Sequence, residues 1–443
     1  MAVLEDVRGN PLTGADDSAA IAYMEGLTRF NLFIGDPIAS AEAAIASAPG
    51  FAMGHVLRAW LLLLSTEAPA WIPAREAWHA ARDLPMTTQE AGHVAAIGHL
   101  LDGRWHQAAR VLEDVSISHP RDMLALQVGH QLDFFTGQAR MLRDRIARAL
   151  PAWSPELPGR HVLLGMLAFG LEEMGDYAAA EAAGREAVAL ERRDAWAQHA
   201  IAHVLEMQGR TTDGIAWMRA DIPAWTEDNF FAVHNWWHLA LYHLEIGEIE
   251  EVLQLFDGPI HGARSRVMID MIDAAALLWR LHLRGVDVGE RWQTVADGFA
   301  PTAGTGNYAF NDLHAMIAFT GAGRRDLAEQ VLAAQRTAME REDDNAVFTR
   351  EVGHAATRAI QAFGDERYDE TVSLIRGIRS IAHRFGGSHA QRDVLDLTLL
   401  EAAFRSGQHN LAKALTAERV AAKPASPLAA LFARRAHCGQ YQL

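Results

Sequence analysis

Histidines and one glutamate recur at helical spacing near the middle of the chain. His199, His203 and Glu206 are four and three residues apart, so a helix would present all three on one face. His234 and His238 repeat the four-residue spacing further along the chain. Two imidazoles at i and i+4 suit Zn²⁺ or Fe²⁺, and a carboxylate would complete a three-ligand site with an open position. These five side chains are therefore candidate metal ligands, and Zn²⁺ or Fe²⁺ is the candidate cofactor.

Glu206 is also a candidate catalytic residue. Beside a metal-bound water its carboxylate would be a general base, which makes it the candidate catalytic residue of a metal-dependent hydrolase or oxygenase. The spacing differs from the His-Glu-x-x-His pattern of metalloproteases. The chain has no Gly-x-Ser-x-Gly elbow, and its only cysteine, Cys438, is close to the C-terminus. Whether the protein is an enzyme is open on the sequence alone.

The same residue types also suit a metal-free binding groove. Imidazoles, the Asn235 amide and the nearby indoles offer hydrogen bonds and stacking surfaces to an anionic or aromatic ligand. Asp312 and His314 on a later helix, and Arg392 after a Gly-Gly-Ser turn, are further candidate ligand-binding residues. The sequence therefore favours a binding protein that holds a small molecule or a peptide or protein segment in a histidine-rich groove, with a metal-dependent enzyme as the alternative.

A purely structural interpretation competes with both. Buried histidines often satisfy inter-helix hydrogen bonds and do nothing else. This is the preferred interpretation for the isolated histidines, which are His93, His106, His130, His161 and His282. By the same reasoning Ser388 is expected to cap a helix, and Arg392 and Asp393 to form ion pairs between repeats.

The elements that must position these residues are helices in a repeating array. Turn glycines recur at Gly103, Gly137, Gly175, Gly209 and Gly247, which are 34, 38, 34 and 38 residues apart. A period of 34 is typical of the tetratricopeptide helix–turn–helix unit, and 38 is that unit with a short insertion. Apolar residues recur at three and four, and no alternating strand pattern competes.

The repeat register extends over the whole chain. Small residues occupy the positions where tetratricopeptide helices cross closely, as at Ala108, Ala180 and Ala187. The clearest repeats cover residues 89–260, with degenerate repeats over 1–88 and 261–443. The sequence thus predicts an all-α, right-handed α-solenoid that forms one continuous domain over residues 1–443. In such arrays the first helix of each repeat lines a concave groove, where the histidines would converge.

The chain resembles the tetratricopeptide repeat protein 38 family. Segments that carry the resemblance include Asp194-Ala-Trp196 with His199, His203 and Glu206, then His234-Asn-Trp-Trp-His238, Phe310-Asn-Asp312-x-His314, and Gly386-Gly-Ser-x-Ala-Gln-Arg392-Asp393. The resemblance implies an α-helical repeat fold and no settled activity.

Composition narrows the class of protein. Half of the 443 residues are hydrophobic and 22% are charged, which is typical of a folded globular chain. Forty basic residues against 56 acidic ones give a net charge of −16, which disfavours nucleic acid as a partner. The longest apolar run, at residues 59–64, falls far short of the roughly 20 residues of a membrane helix. We therefore expect a cytoplasmic protein with no membrane partner; oligomeric state is open.

Overall fold

The computed structural model describes residues 4–438, and these are helical almost throughout. The expectation of an all-α fold is confirmed. Sheet structure in this described part is confined to a short antiparallel pair, β1 (Leu4–Glu5) and β2 (Pro11–Leu12), and an isolated bridge between Ile34 and Asn229. The sequence pattern did not predict this hairpin, because two-residue strands are too short to show alternation. None of the helices in the described range has both the length and the apolarity to cross a membrane.

The chain divides into two compact units. Unit 1 runs to Ile201 and includes Asp221–Ala232, whereas unit 2 comprises Ala202–Ala220 and the chain from Val233 onward. In unit 1 the returning segment is tied to the end of the first helix, since Gly35 donates to the Asp228 carbonyl and Phe230 donates to the Phe33 carbonyl. The prediction of one continuous repeat domain over the whole chain stays a prediction.

Unit 1 is built from consecutive antiparallel helix pairs. Its helices are α1 (Asp17–Leu32), α2 (Pro37–Ser47), α3 (Ala52–Leu63), α4 (Trp71–Arg82), α5 (Thr88–Leu101), α6 (Trp105–Ser118), α7 (Met123–Phe135), α8 (Ala139–Ala149), α9 (Arg160–Glu173) and α10 (Tyr177–Leu190). Next comes α11 (Ala195–Met207), which begins in unit 1 and ends in unit 2.

Unit 2 continues with further pairs. Its helices are α12 (Thr211–Ala220), α14 (Ala232–Ile246), α15 (Ile249–Leu255), α16 (Met268–Leu283), α17 (Arg291–Phe299), α18 (Ala309–Gly321), α19 (Arg325–Met339), α20 (Asp344–Phe348), α21 (His354–Gly364), α22 (Tyr368–Ile378), α23 (His389–Arg405), α24 (His409–Ala422) and α25 (Pro427–Cys438); the short α13 (Ile222–Thr226) belongs to unit 1. Short 3₁₀ segments cover Ala68–Ala70, Leu150–Ala152, Ala300–Thr302 and Arg379–Phe385, and π-helical turns cover Phe256–Ile260 and Thr349–Gly353.

Each predicted turn glycine separates two helices. The φ angles of Gly103, Gly137, Gly175, Gly209 and Gly247 are 74°, 67°, 81°, 68° and 84°. A left-handed φ ends the preceding helix, and glycine adopts it without the penalty that a Cβ brings. The small residues Ala108, Ala180 and Ala187 are fully buried, as close helix crossing requires. The molecule is thus a helical repeat-like all-α protein.

Candidate functional site

Two helices bring the principal candidates together inside unit 2. The unit 2 part of α11 carries His203 and Glu206, and α14 carries His234, Asn235 and His238. His203, Asn235 and His238 are completely buried, and His234 is 4% exposed. Spacings of three and four residues put His203 and Glu206 on one side of α11, and His234 and His238 on one side of α14, as the sequence predicts.

Three imidazoles form a close group, which we call the histidine cluster: His203, His234 and His238. The ring centroids of His203 and His238 are 4.4 Å apart, and those of His234 and His238 are 4.9 Å apart. One ring nitrogen from each lies within 4.8 Å of the others. Tetrahedral Zn²⁺ with bonds of about 2.0–2.1 Å needs its nitrogen ligands about 3.3 Å apart. Small rotations of the rings would therefore bring them to coordination distance.

A buried carboxylate orients one ring of the cluster. Asp273, on α16, accepts a hydrogen bond from Nδ1 of His234, with oxygen distances of 2.8 and 3.0 Å. Asp273 is completely buried, and burial raises its pKa while His234 opposes the rise. A carboxylate that accepts a hydrogen bond from Nδ1–H fixes the tautomer in which Nε2 carries the lone pair. This is the arrangement that holds many metal-binding histidines.

Glu206 stands between the cluster and a cavity. Its Oε2 is 3.4 Å from Nδ1 of His238, and its Oε1 is 3.6 Å from Nζ of Lys423. The carboxylate also lines a cavity of about 50 Å³ within unit 2. Glu206 therefore contacts an imidazole on one side and faces a small cavity on the other.

Burial favours the neutral form of two rings of the cluster, His203 and His238. The pKa values of His203 and His238 lie well below the ordinary histidine value, first because the rings are buried and then because neighbouring histidines disfavour a second positive charge. A neutral imidazole keeps the lone pair that metal coordination requires. The arrangement can hold a cation, or it can donate and accept hydrogen bonds to a small polar molecule.

Aromatic and cationic groups close one side of the cluster. The His234 ring stacks on Trp237, with centroids 5.4 Å apart and an interplanar angle of 18°. The Arg280 guanidinium lies over the Trp237 ring, 5.3 Å from its centroid. Both Trp237 and Arg280 are buried.

His199 lies one helical turn before His203, in the part of α11 that belongs to unit 1. There its ring stacks on Phe169 at 5.4 Å and lies 4.9 Å from Trp196. Phe231 meets the His199 ring edge-on at 5.2 Å. The prediction that His199 shares a ligand with His203 stays a prediction.

The later candidates make other contacts. Asp312 accepts a hydrogen bond from Gln335 at 3.4 Å, and burial raises its pKa to about 7. Nδ1 of His314 donates to the Phe310 carbonyl at 2.8 Å. Neither residue belongs to the groups of potential metal ligands found among residues 4–438. Their assignment to the ligand site stays a prediction.

Arg392 lies near the start of α23. Its guanidinium donates to the carbonyl of Gly387, which restrains the turn before the helix. Ser388 caps the same helix in a reciprocal arrangement with Gln391, as expected. Asp393, the next residue, forms the expected ion pair to the neighbouring helix, with Arg419 at 2.8 Å.

Two isolated histidines have the structural role that the sequence suggested. Nε2 of His93 bonds to Asp122 at 3.0 Å, and Nδ1 of His161 bonds to Asp194 at 2.8 Å. Asp122 and Asp194 also cap the helices that follow them, since they accept from the amides of Ala125 and Ala197. These pairs join consecutive helical units of unit 1.

Sequence reasoning missed three residues of the site: Asp273, Arg280 and Lys423. Asp273 and Arg280 could have been noticed, because both are charged residues in the mostly apolar helix α16. Burial of a charged side chain is costly, so such residues are candidates for a functional role. Asp273 also follows His234 by 39 residues, which is about one repeat period. Lys423, one of only two lysines, gave no signal of its own.

No known protein-family model matches the chain. The fold and site therefore define its class: a helical repeat-like, all-α protein with a buried histidine cluster. The resemblance to the tetratricopeptide repeat protein 38 family stays a prediction.

Proposed function

We propose that the protein is a ligand-binding helical-repeat protein whose ligand is a divalent transition-metal ion, Zn²⁺ or Fe²⁺, held by His203, His234 and His238. One observation carries this proposal. Three buried imidazoles offer nitrogens within 4.8 Å of one another inside a single unit, and burial lowers the pKa of two of them, His203 and His238. Zn²⁺ and Fe²⁺ are the ions that imidazole ligands with an open position suit best.

The carboxylates around the cluster support the proposal. Asp273 faces Nδ1 of His234, and Glu206 faces Nδ1 of His238, so Nε2 of each ring is the nitrogen suited to an ion. Metal-bound histidines commonly donate their other N–H to a carboxylate, which orients the ring and raises its basicity. The two carboxylates also offset the positive charge that an ion would bring.

Burial favours a small occupant over a peptide. Every ring of the cluster is at most 4% exposed, and the adjoining cavity is about 50 Å³. Specific protein–peptide contacts need far more accessible surface than this. Between the two ligand classes that the sequence suggests, an ion or a small molecule is the better fit.

Elemental analysis of protein purified without a histidine tag or chelator tests the proposal. We expect close to one equivalent of zinc or iron per chain in the wild type, and none in the His203→Ala/His238→Ala variant. His161→Gln is the matched control, because it breaks a histidine–carboxylate pair in unit 1 and should leave metal content unchanged. If the wild type carries no metal and its melting temperature does not change on addition of zinc or iron, the proposal is wrong.

A metal-dependent enzyme is the second candidate function, and the position of Glu206 favours it. This carboxylate touches the cluster and faces the cavity, which is where a general base must stand to take a proton from a water next to a metal. Hydrolysis of p-nitrophenyl acetate by zinc-loaded protein is the first assay. A hydrolase should lose activity at least 100-fold in Glu206→Gln while keeping its metal. A rate no higher than that of free zinc would count against this function.

We also propose that the helix pairs are tetratricopeptide-type repeats in one right-handed array. The support is the recurrent pairing of helices around turn residues of positive φ, at a period of 34–38 residues. Limited proteolysis separates this from two independent domains. A continuous array should resist cleavage between residues 201 and 233, whereas two independent domains would release separate stable fragments.

A further inference from the structure

A cavity in unit 2 has a charged lining. It measures about 50 Å³, and its charged lining residues are Glu206, Glu245, Arg280, Asp393, Arg419 and Lys423. A water-sized position needs about 10–15 Å³ by the same measure, so the cavity holds on the order of four such positions. That is the size of a single phosphate or carboxylate group.

Most of the charges in the lining are already matched. Asp393 and Arg419 form a two-pronged ion pair, with distances of 2.8 and 3.0 Å. Glu245 accepts from the Ser426 hydroxyl and from the Leu428 amide. Lys423 lies 3.6 Å from Glu206.

Arg280 is different. It is 4% exposed, and its guanidinium donates to two backbone carbonyls, those of Ala276 at 3.1 Å and Ala390 at 2.6 Å. Within residues 4–438 it forms no ion pair with a carboxylate. A guanidinium has five N–H groups, so two carbonyl partners leave three of them for another acceptor.

Burial of the Arg280 charge is costly: it lowers the pKa of Arg280, and the nearby carboxylates of Asp393, Glu206 and Asp273 oppose this only in part. Arginine stays protonated in proteins, so it cannot escape this cost by losing its proton. An anion that accepts hydrogen bonds from the guanidinium can offset the rest of this cost. The face that Arg280 turns to the cavity is therefore suited to an anion that enters the cavity. Planar guanidinium groups recognise phosphate and carboxylate oxygens with paired hydrogen bonds.

We propose that this cavity binds the oxyanion group, phosphate or carboxylate, of a small molecule, with Arg280 as its main partner and Lys423 as a second. The ammonium group of Lys423 is already at the cavity wall, where it can donate to Glu206 and to the oxyanion together. If the proposed function holds, the ligand is a small molecule that carries an oxyanion group, and the rest of it would contact Glu206 and the histidine cluster. The oxyanion site needs no metal of its own.

Calorimetric titration of inorganic phosphate, and separately of acetate, into chelator-treated full-length protein tests the proposal. We expect saturable binding of at least one of the two anions, and the tighter binder identifies the oxyanion class. Arg280→Gln should abolish the binding, and Lys423→Met should weaken it at least tenfold. Lys413→Met is the matched control, since Lys413 is the only other lysine and lies exposed on α24.

The outcomes separate this inference from the proposed metal function. If Arg280→Gln does not fold, Lys423→Met against Lys413→Met carries the test. Anion binding by protein that never takes up zinc would support the oxyanion site and refute the metal site. Zinc uptake without binding of either anion would support the metal site and refute the oxyanion site. Equal anion binding by wild type and Lys423→Met, with Arg280→Gln also unaffected, would overturn the inference.

Discussion

Two histidine–aspartate pairs, one in each unit, look alike in distance and differ in surroundings. In unit 1, His93 bonds to Asp122 at 3.0 Å, and in unit 2, His234 bonds to Asp273 at 2.8 Å. All four side chains are buried. The difference between the pairs lies in what else each member contacts.

The unit 1 pair is chemically complete. Nδ1 of His93 accepts from the Trp60 indole at 3.3 Å while Nε2 donates to Asp122, so both ring nitrogens are used. Asp122 also accepts from Gln89 and caps α7 at the Ala125 amide. Although burial raises the pKa of Asp122, His93 and the other donors bring it down to about 2. Such a pair joins two helices and leaves no atom for a ligand.

In the unit 2 pair, His234 and Asp273, the aspartate does not cap a helix. Asp273 lies inside α16, a full turn beyond its first residue, and its hydrogen bonds go to His234. Burial outweighs that single partner and raises the pKa of Asp273. His234 also lies beside an indole, that of Trp237, but its other neighbour is a second imidazole, that of His238. A shared distance is therefore a poor guide to function, and the neighbours of the pair are a better one.

The largest effect on stability is expected from Asp122→Ala. This change removes a helix cap and one hydrogen-bond acceptor from each of the buried residues His93 and Gln89, so we expect a loss of about 3–5 kcal/mol in the free energy of unfolding. Urea denaturation measures it. Asp176→Ala is the control, because Asp176 caps α10 without a histidine and should cost only about 1 kcal/mol. Equal losses in the two variants would show that the His93–Asp122 pair adds nothing.

A second carboxylate of unit 2 should show a pH effect of opposite sign to that of Asp122. The folded-state pKa of Asp312 is about 7, against 3.8 for the free side chain, so folding favours its protonated form. Its contribution is fully present below pH 3.8 and is lost as the pH rises towards 7, by at most about 4 kcal/mol. Asp312→Asn should flatten the fall in stability over this range, measured by denaturation at a series of pH values. The exposed Asp326→Asn should leave that fall unchanged.

Asp273→Asn tests the orienting role of the unit 2 pair. Loss of the carboxylate charge should weaken zinc binding about 10- to 100-fold, because the His234 ring is less basic and less firmly oriented. Asp194→Asn is the matched variant in unit 1, where the aspartate bonds to His161 at the same 2.8 Å. It should not change zinc affinity. Equal effects of the two variants would place zinc elsewhere.

The smallest expected effect on stability concerns the glycine turns that both units contain. Gly175→Ala in unit 1 and Gly247→Ala in unit 2 each place a Cβ at a φ of 81° or 84° without contacting any atom closely. Each should cost about 1–2 kcal/mol through backbone strain. Equal costs would show that the turns are equivalent and that the units differ in their polar groups. A cost near zero at either site would contradict the strained turn.

The backbone was more predictable from sequence than the site. Turn glycines and small residues such as Ala180 and Ala187 report local geometry, so the helix pairs follow from their spacing. Spacing along α11 and α14 likewise predicts that His203 and His238 share their helical faces with Glu206 and His234. An open groove was expected around them, whereas the structure buries them.

Partners on other helices could not be read from the sequence. The approach of Asp273 to His234 depends on how α14 and α16 are rotated against each other, and no local pattern encodes that rotation. The same holds for Lys423, which follows the end of α24 and is more than 200 residues from Glu206 in sequence. Asp312 and His314 have suitable residue types, yet their contacts are with Gln335 and the Phe310 carbonyl.

The most direct test of the histidine cluster is a zinc titration of chelator-treated protein against a chromophoric competitor. Wild type, His234→Gln and His161→Gln would be compared at pH 7. We predict one tight site per chain in the wild type and in His161→Gln, and its loss in His234→Gln. Zinc binding that is absent from the wild type, or that is unchanged in His234→Gln, would contradict the assignment of the cluster as a metal site.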